Sequence, residues 1–259
     1  MERIEKAVIT SAGKGTRMKY ITSVLPKCLL PLLVKDGIDG KKVAKPVIDL
    51  IMKSVEEVGV SKFCVVVGKM QGRILMEYLF DRGPTFVFQN EAKGFGDAVL
   101  KAEDFADQSP FFVHADDGVL TSGYDVLSRA FLEKNADAAL FVRQVKNPYR
   151  YGIIQFEESE VEDFMGHKLY HVNGVEEKPK EPKSNLAIAA VYIFRPSIFS
   201  ALKEVKVNQD QELELTFGIK NMVEKGKKVI ALSLDKEKWL NVGDPDSYFD
   251  SFTYAYKEL

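Results

Sequence analysis

Short runs made almost wholly of apolar residues recur along this chain: Ala7-Val8-Ile9, Phe63 to Val67 and Phe111-Phe112-Val113. Strands apolar on both faces fit a sheet covered on both sides, the usual setting of parallel strands. Between them lie segments with helical spacing. Val47, Leu50, Ile51, Val55 and Val58 put one helical face inside after Lys45-Pro46, and Gly59 ends that helix. Residues 70–81 read as a second helix, 85–89 as a strand, 122–134 as a helix, and 138–143 and 151–156 as strands. Strands alternating with helices predict an α/β fold: a Rossmann-like, doubly wound, mostly parallel (mixed) sheet. Such sheets bind ligands at the carboxyl ends of their strands, where the strand order switches. The segment 34–45 reads as an exposed excursion, and 157–171, acidic and irregular, as an exposed hairpin region.

The stretch after the first strand is rich in ligand-binding chemistry. Thr10 to Leu32 supplies Gly13, Gly15, Thr16 and Arg17, then Lys27 after Pro26. Glycines let backbone pass close to a ligand, and successive N–H groups in such a turn cup an anion. Arg17 offers a planar fork and Lys27 a point charge. Strand, glycine loop and paired cations together point to a polyphosphate site. Two familiar phosphate loops do not fit. A Walker-type loop needs Gly, four residues, then Gly-Lys-Ser/Thr, and no such window exists. The dinucleotide fingerprint needs a small residue where Met18 stands and an acid ending the second strand, where Val67-Gly68-Lys69 is found.

Composition narrows the class. The chain has 259 residues, enough for one large α/β domain. Lys plus Arg is 36 against 38 Asp plus Glu, a balance unlike that of a dedicated nucleic-acid binder. Two cysteines, Cys28 and Cys64, make no disulfide framework and fit a reducing, cytoplasmic setting. No apolar run reaches transmembrane length, and the charged start leads straight into a strand, so neither a membrane partner nor a signal peptide is expected. Gln89 at a strand end, followed by Gly94-Phe95-Gly96, is a second candidate ligand contact, since an amide donates and accepts side by side. The 111–117 strand ends in the pair Asp116-Asp117; a strand-end acid near a polyphosphate loop is a candidate magnesium ligand, and neighbours on a strand face opposite ways, so one of the two need face the site. His114, two residues before the pair, reads as a satisfied core or rim histidine. His167 and His171, four apart, could grip zinc only on a helix that Gly166 disfavours.

Gly13-x-Gly15-Thr16-Arg17 followed by Pro26-Lys27 resembles the signature of the sugar-1-phosphate nucleotidylyltransferases, specifically the UTP:glucose-1-phosphate uridylyltransferase type. The resemblance runs nearly end to end. It implies the nucleotide-diphosphosugar transferase fold in a single domain: 1–120 for the nucleotide, 121–235 for the sugar phosphate, 236–259 as closing loop and final helix. It implies UTP (or dTTP) and a sugar 1-phosphate as partners, Mg2+ as cofactor, and a homo-oligomer. Carried over, Ala12, Gly13, Gln89 and Gly94 hold the base, and Gly15 and Thr16 belong to the nucleotide loop. Arg17, Lys27 and Lys178 are the catalytic cations, and Asp116 is the metal aspartate. The segment Glu176-Glu177-Lys178-Pro179 would pass for a solvated turn, yet it matches the Glu-Lys-Pro motif, which gives sugar hydroxyls to Glu177 and the sugar phosphate to Lys178. Gly152 and Asn185 fall on the sugar side.

One departure stands out. Trp239-Leu240-Asn241-Val242-Gly243 resembles the closing Asp-x-Gly motif, whose Asp is the second metal ligand, but here Asn241 takes that place. An amide oxygen can coordinate but brings no charge. Asp244-Pro245 nearby reads as a helix N-cap with Pro at N1. The departure keeps a second reading open: a catalytically weak or inactive nucleotide-binding regulator of the same fold. A glycosyltransferase of related fold is a third.

Overall fold

A computed structural model describes residues 2–35, 40–69, 71–208, 211–235 and 237–259. In chain order the strands are β1 (Lys6–Ser11), β2 (Pro31–Lys35), β3 (Lys42–Pro46), β4 (Lys62–Gly68), β5 (Thr85–Gln89), β6 (Phe111–Ala115), β7 (Gly118–Leu120), β8 (Ala138–Gln144), β9 (Gly152–Gln155), β10 (Glu162–Phe164), β11 (His167–His171), β12 (Gly174–Glu177), β13 (Leu186–Phe194), β14 (Val229–Ser233) and β15 (Trp239–Asn241). The helices are α1 (Val47–Glu56), α2 (Gly72–Tyr78), α3 (Phe95–Leu100), α4 (Glu103–Ala106), α5 (Tyr124–Glu133), α6 (Ser197–Lys203), α7 (Leu215–Glu224) and α8 (Pro245–Glu258).

The main sheet runs β5-β4-β1-β6-β13-β8-β14-β11-β10, with β9 and β12 attached beside β13. The strands β5, β4, β1 and β6 are parallel; β13 enters antiparallel between β6 and β8. The sheet is therefore mixed, mostly parallel in its nucleotide half, and the chain reverses its direction of build between β1 and β6. That reversal opens a crevice beyond the ends of those two strands, at Ser11 and Ala115.

The apolar runs behave as period-2 strands between two helical layers. Ala7 and Ile9 of β1, Phe63, Val65 and Val67 of β4 and Phe112 of β6 face one layer, with α1 and α5. Val8, Cys64, Val66, Phe111 and Val113 face the other, with α3, α6 and α7. Each large side chain buried this way contributes about 1.5–3 kcal/mol. Both thiols are buried, and burial pushes Cys28 and Cys64 up, Cys64 to about 12, so neither is a ready nucleophile.

Several expectations change. The excursion at 34–45 is largely an antiparallel hairpin: Pro31 to Lys35 pair with Lys42 to Pro46; residues 36–39 lie outside the described residues. The second helix starts at Gly72 and gives way to a 3-10 turn at Phe80–Arg82; Met70 is likewise outside the described residues. The 157–171 hairpin is not wholly exposed. Its second strand, β11, joins the main sheet through β14, burying Leu169. His167 bonds the Ser233 carbonyl and His171 bonds Glu162, so the two rings go to different partners and not to one metal. The segment read as a charged turn is β12, paired with β9. At the last helix, Asp244 accepts from the Ser247 N–H at 3.0 Å with Pro245 at the first position, the N-cap expected there. Among the described residues no helix is long and apolar enough to cross a membrane.

Candidate functional site

The crevice at the sheet reversal holds a cavity of about 530 Å³. Ala12, Gly13, Gly15, Thr16, Arg17, Lys27, Gln89, Gly94, Asp116, Gly152 and Glu177, all singled out from the sequence, line it. They come from β1, β5, β6, β9 and β12 and the loops beyond them, so the sheet gathers residues far apart in the chain.

The floor is a charged cluster. Lys27 Nζ lies 2.8 Å from Asp116 Oδ1 and 3.9 Å from Asp117 Oδ2, and Arg17 Nη2 is 3.8 Å from Asp117. Ser11, the last residue of β1, donates to Asp116 Oδ2 at 2.6 Å. Lys27 is placed by a single 3-10 turn, Lys27–Leu29, which Pro26 opens and Cys28 and Leu29 anchor in the core. Burial works against the Lys27 charge, but Asp116 and Asp117 outweigh it and hold the ammonium protonated. Burial likewise pushes the Asp116 carboxyl up, opposed by Lys27 and the Ser11 hydroxyl. With two donors on its oxygens at these distances we take the pair as ionised. The expectation that only one of the two acids faces the site is corrected. Asp116 and Asp117 lie in the turn past β6, where strand alternation no longer applies, and both line the cavity.

Above the floor, the glycine loop is open to solvent. Gly15 has φ +64 and packs on Thr22, whose hydroxyl donates to the Gly15 and Lys19 carbonyls at 2.7 and 2.9 Å. The loop runs into turns, with no helix directly behind it as in the two phosphate loops excluded above. Arg17 is 65% exposed, free to swing onto an incoming anion.

A second cluster closes one end. Gln89 is buried, and its amide nitrogen donates to the Gly94 carbonyl at 3.0 Å and to Asp97 Oδ2 at 2.8 Å. Both amide protons are thus engaged within the protein. The side-by-side donor and acceptor expected of Gln89 is reduced to an acceptor, Oε1.

The third cluster is acidic. Glu177 Oε2 accepts from Thr216 at 2.9 Å, while Lys178 Nζ reaches Glu177 at 3.0 Å and Glu214 at 3.7 Å. Lys178 does not itself line the cavity but is tied to two carboxylates that do, and its backbone sits at φ +46. Burial lowers its pKa, yet the hydrogen bond and charge of Glu177, with Glu214, leave it raised. Burial pushes Glu214 up, and Glu177 beside it adds to this. Asn185 stands exposed at the head of β13 and does not line the cavity. Asn241 is also outside the lining. Its Oδ1 accepts from the Gly243 N–H at 2.9 Å and its Nδ2 faces Asp244 at 3.4 Å. Gly243 does line the cavity, and a Cβ there would meet Asn241 Oδ1, Asp117 Oδ2 and Arg17, so Asn241 lies at the rim of the charged floor.

The sequence reading missed Ser11, Asp97, Asp117, Glu214, Thr216 and Arg150 as site residues. Asp117 stood in plain view beside Asp116. Nothing in the local pattern marked the others.

One cavity thus offers cations under a glycine loop, a buried amide acceptor, and carboxylates suited to hydroxyls. The chain matches the family model for nucleotidyl transferase over residues 6–258. It is 31% identical to a UTP–glucose-1-phosphate uridylyltransferase of Bacillus subtilis, over all of this chain and 94% of that one. The chain spans 64% of a low-salt glycan biosynthesis nucleotidyltransferase of Haloferax volcanii, at 27% identity, and 55% of the bifunctional protein GlmU of Methanocaldococcus jannaschii, at 29%; the matches cover 95% and 98% of this chain. Among solved structures, a UDP-glucose pyrophosphorylase complexed with UDP-glucose superposes with TM-score 0.82 and 25% identity, covering 99% of this chain and all of that one.

Proposed function

The chain belongs to the sugar-1-phosphate nucleotidyltransferase family, and we propose that it transfers a uridylyl group from UTP, with dTTP as the alternative, to glucose 1-phosphate. The observation that carries this reading is the convergence in one cavity of Lys27 on two aspartates, the Gln89 acceptor, and Glu177, to which Lys178 is tied at the rim.

The step is a displacement. An oxygen of the sugar phosphate attacks the α-phosphorus, a new P–O bond forms, the α–β bridge bond breaks, and its electron pair leaves with pyrophosphate. No covalent enzyme intermediate is required. The protein's work is positioning and charge neutralisation. Arg17 and Lys27 hold the triphosphate and offset charge growing on the leaving group. Lys178 brings the second anion up, and Glu177 accepts from sugar hydroxyls. The two anions repel, and these cations carry them past that barrier.

Magnesium belongs to this proposal. Among the described residues no group of three or more His, Cys, Asp or Glu gathers for a metal. Magnesium, however, takes one or two carboxylates together with substrate phosphates. Asp116 and Asp117 fit that need. Each Asp116 oxygen has one donor in the protein and a second lone pair to spare. Asp117 supplies the charge that Asn241 lacks. When bound there, the cation neutralises phosphate charge. Asn241, already accepting from Gly243, is the weaker donor and favours the second reading, a nucleotide binder of low turnover.

Lys178→Ala tests the sugar side. Pyrophosphate release should fall by roughly 10²-fold or more, within the range for one lost preorganised donor, while UTP affinity in the absence of sugar phosphate holds. Unchanged turnover would remove Lys178 from the mechanism.

A further inference from the structure

We propose that Asp97 is a positioning residue that sets base selectivity by fixing which end of the Gln89 amide faces the cavity. A glutamine amide can turn over, swapping an N–H donor for a C=O acceptor toward its ligand, and a free one would read uracil and cytosine alike. Here the turn is locked from two sides. The Gly94 carbonyl takes one amide proton at 3.0 Å and Asp97 Oδ2 takes the other at 2.8 Å. Both partners are acceptors only, since an ionised carboxylate has no proton to give. Turning the amide over would set Oε1 against two oxygens.

Asp97 is itself held. It sits in the first turn of α3, mostly buried, with Oδ1 3.4 Å from Lys101 Nζ one turn on. Gln89 Oε1 meets no donor among the described residues, although the residue lines the cavity. That leaves one unspent acceptor aimed at whatever enters. It suits a base whose edge presents an imide N–H, as N3 of uracil or thymine does. The N3 lone pair of cytosine, or N1 of adenine, would face Oε1 oxygen to nitrogen with no proton between. Selectivity here comes from an unpaired polar group set against the wrong base.

This inference rests on the reading that the Gln89 end of the cavity receives the base of a nucleoside triphosphate. The test is calorimetric binding of UTP, dTTP and CTP to the full chain with magnesium, in wild type, Asp97→Asn and Asp97→Leu. Wild type should bind UTP and dTTP at least roughly tenfold more tightly than CTP, as the loss of one hydrogen bond and an unpaired acceptor demand. Asp97→Leu frees the amide on one side, and the UTP:CTP ratio should fall by several-fold. Asp97→Asn can accept through Oδ1 but also donate through Nδ2, so its ratio should fall between those of wild type and Asp97→Leu. A purely structural role would weaken UTP and CTP together and leave the ratio alone; that outcome overturns the inference. If Asp97→Leu does not fold, Asp97→Ser carries the same ratio measurement, since its hydroxyl is too short to reach the amide. Wild type binding none of the three triphosphates would sink the underlying reading instead, and wild-type preference with unchanged ratios in the variants would sink only the role of Asp97.

Discussion

Lys27→Met should cost the protein about 3–5 kcal/mol of stability at neutral pH, the range for breaking a buried ion pair on one side. Lys27 is 16% exposed and Asp116 only 4%, and the ammonium is 2.8 Å from the carboxylate. Removing it leaves Asp116 buried with the Ser11 hydroxyl as its remaining close donor. The same change should lower pyrophosphate release by roughly 10²–10³-fold, because the cation that meets the triphosphate is gone. The double variant Lys27→Met/Asp116→Asn separates the two effects. It removes the stranded charge, so most of the stability should return, while activity stays low. Denaturant unfolding of the three proteins decides this. A single variant as stable as wild type, or a double variant no more stable than the single, would contradict the ion-pair description of the site floor.

Gly94→Ala should be nearly as damaging, by a different route. Gly94 has φ +106, and a Cβ there would come within 2.5 Å of the Leu213 carbonyl oxygen and 2.8 Å of two more Leu213 backbone atoms. The two segments are stitched together. Gly96 N–H donates to Leu213 O at 2.7 Å, and Leu213 N–H donates to Lys93 O at 2.7 Å. This seam joins the Gln89 cluster to the Glu214 and Thr216 side of the cavity. Alanine must part it. Gly59→Ala is the control: Gly59 has the same φ of +106, with nothing within 4 Å of its Cβ position. Backbone strain alone costs about 1–3 kcal/mol and is shared by both variants. The clash belongs to Gly94→Ala only and should add about 2 kcal/mol, a further fall in Tm of roughly 4–8 °C. UTP affinity should drop more than tenfold in Gly94→Ala alone. Equal losses in the two variants would show that the seam does not matter.

These residues show what was legible in the sequence. The sheet was readable because Phe63 to Val67 and Phe111 to Val113 are apolar on both faces, and both layers prove filled. The cations and glycines of the first loop were readable because they lie close together after a strand. The antiparallel entry of β13 was not, since Leu186 to Phe194 is as apolar as a central parallel strand and composition carries no direction. Asp117 was passed over because strand alternation, carried two residues beyond the end of β6 at Ala115, left room for one acid, and the resemblance assigned that place to Asp116. Glu177 looked solvated because β12 is four residues long, too short for alternation to declare itself, whereas Lys178, one residue beyond, is indeed 56% exposed. Glu214, Thr216 and Asp97 were silent for a deeper reason. Their roles depend on which distant segment packs on them, and the partner of Asp97 is legible only once Gln89 is seen to be buried.

A matrix of triphosphates against sugar 1-phosphates, with magnesium and read as pyrophosphate, bears on all of this at once. UTP, or dTTP, with glucose 1-phosphate should release pyrophosphate, and neither substrate alone should do so. Binding of UTP with no pyrophosphate from any pair, or release of pyrophosphate that ignores the sugar phosphate, would contradict the proposed transfer between two anions held on Arg17, Lys27 and Lys178.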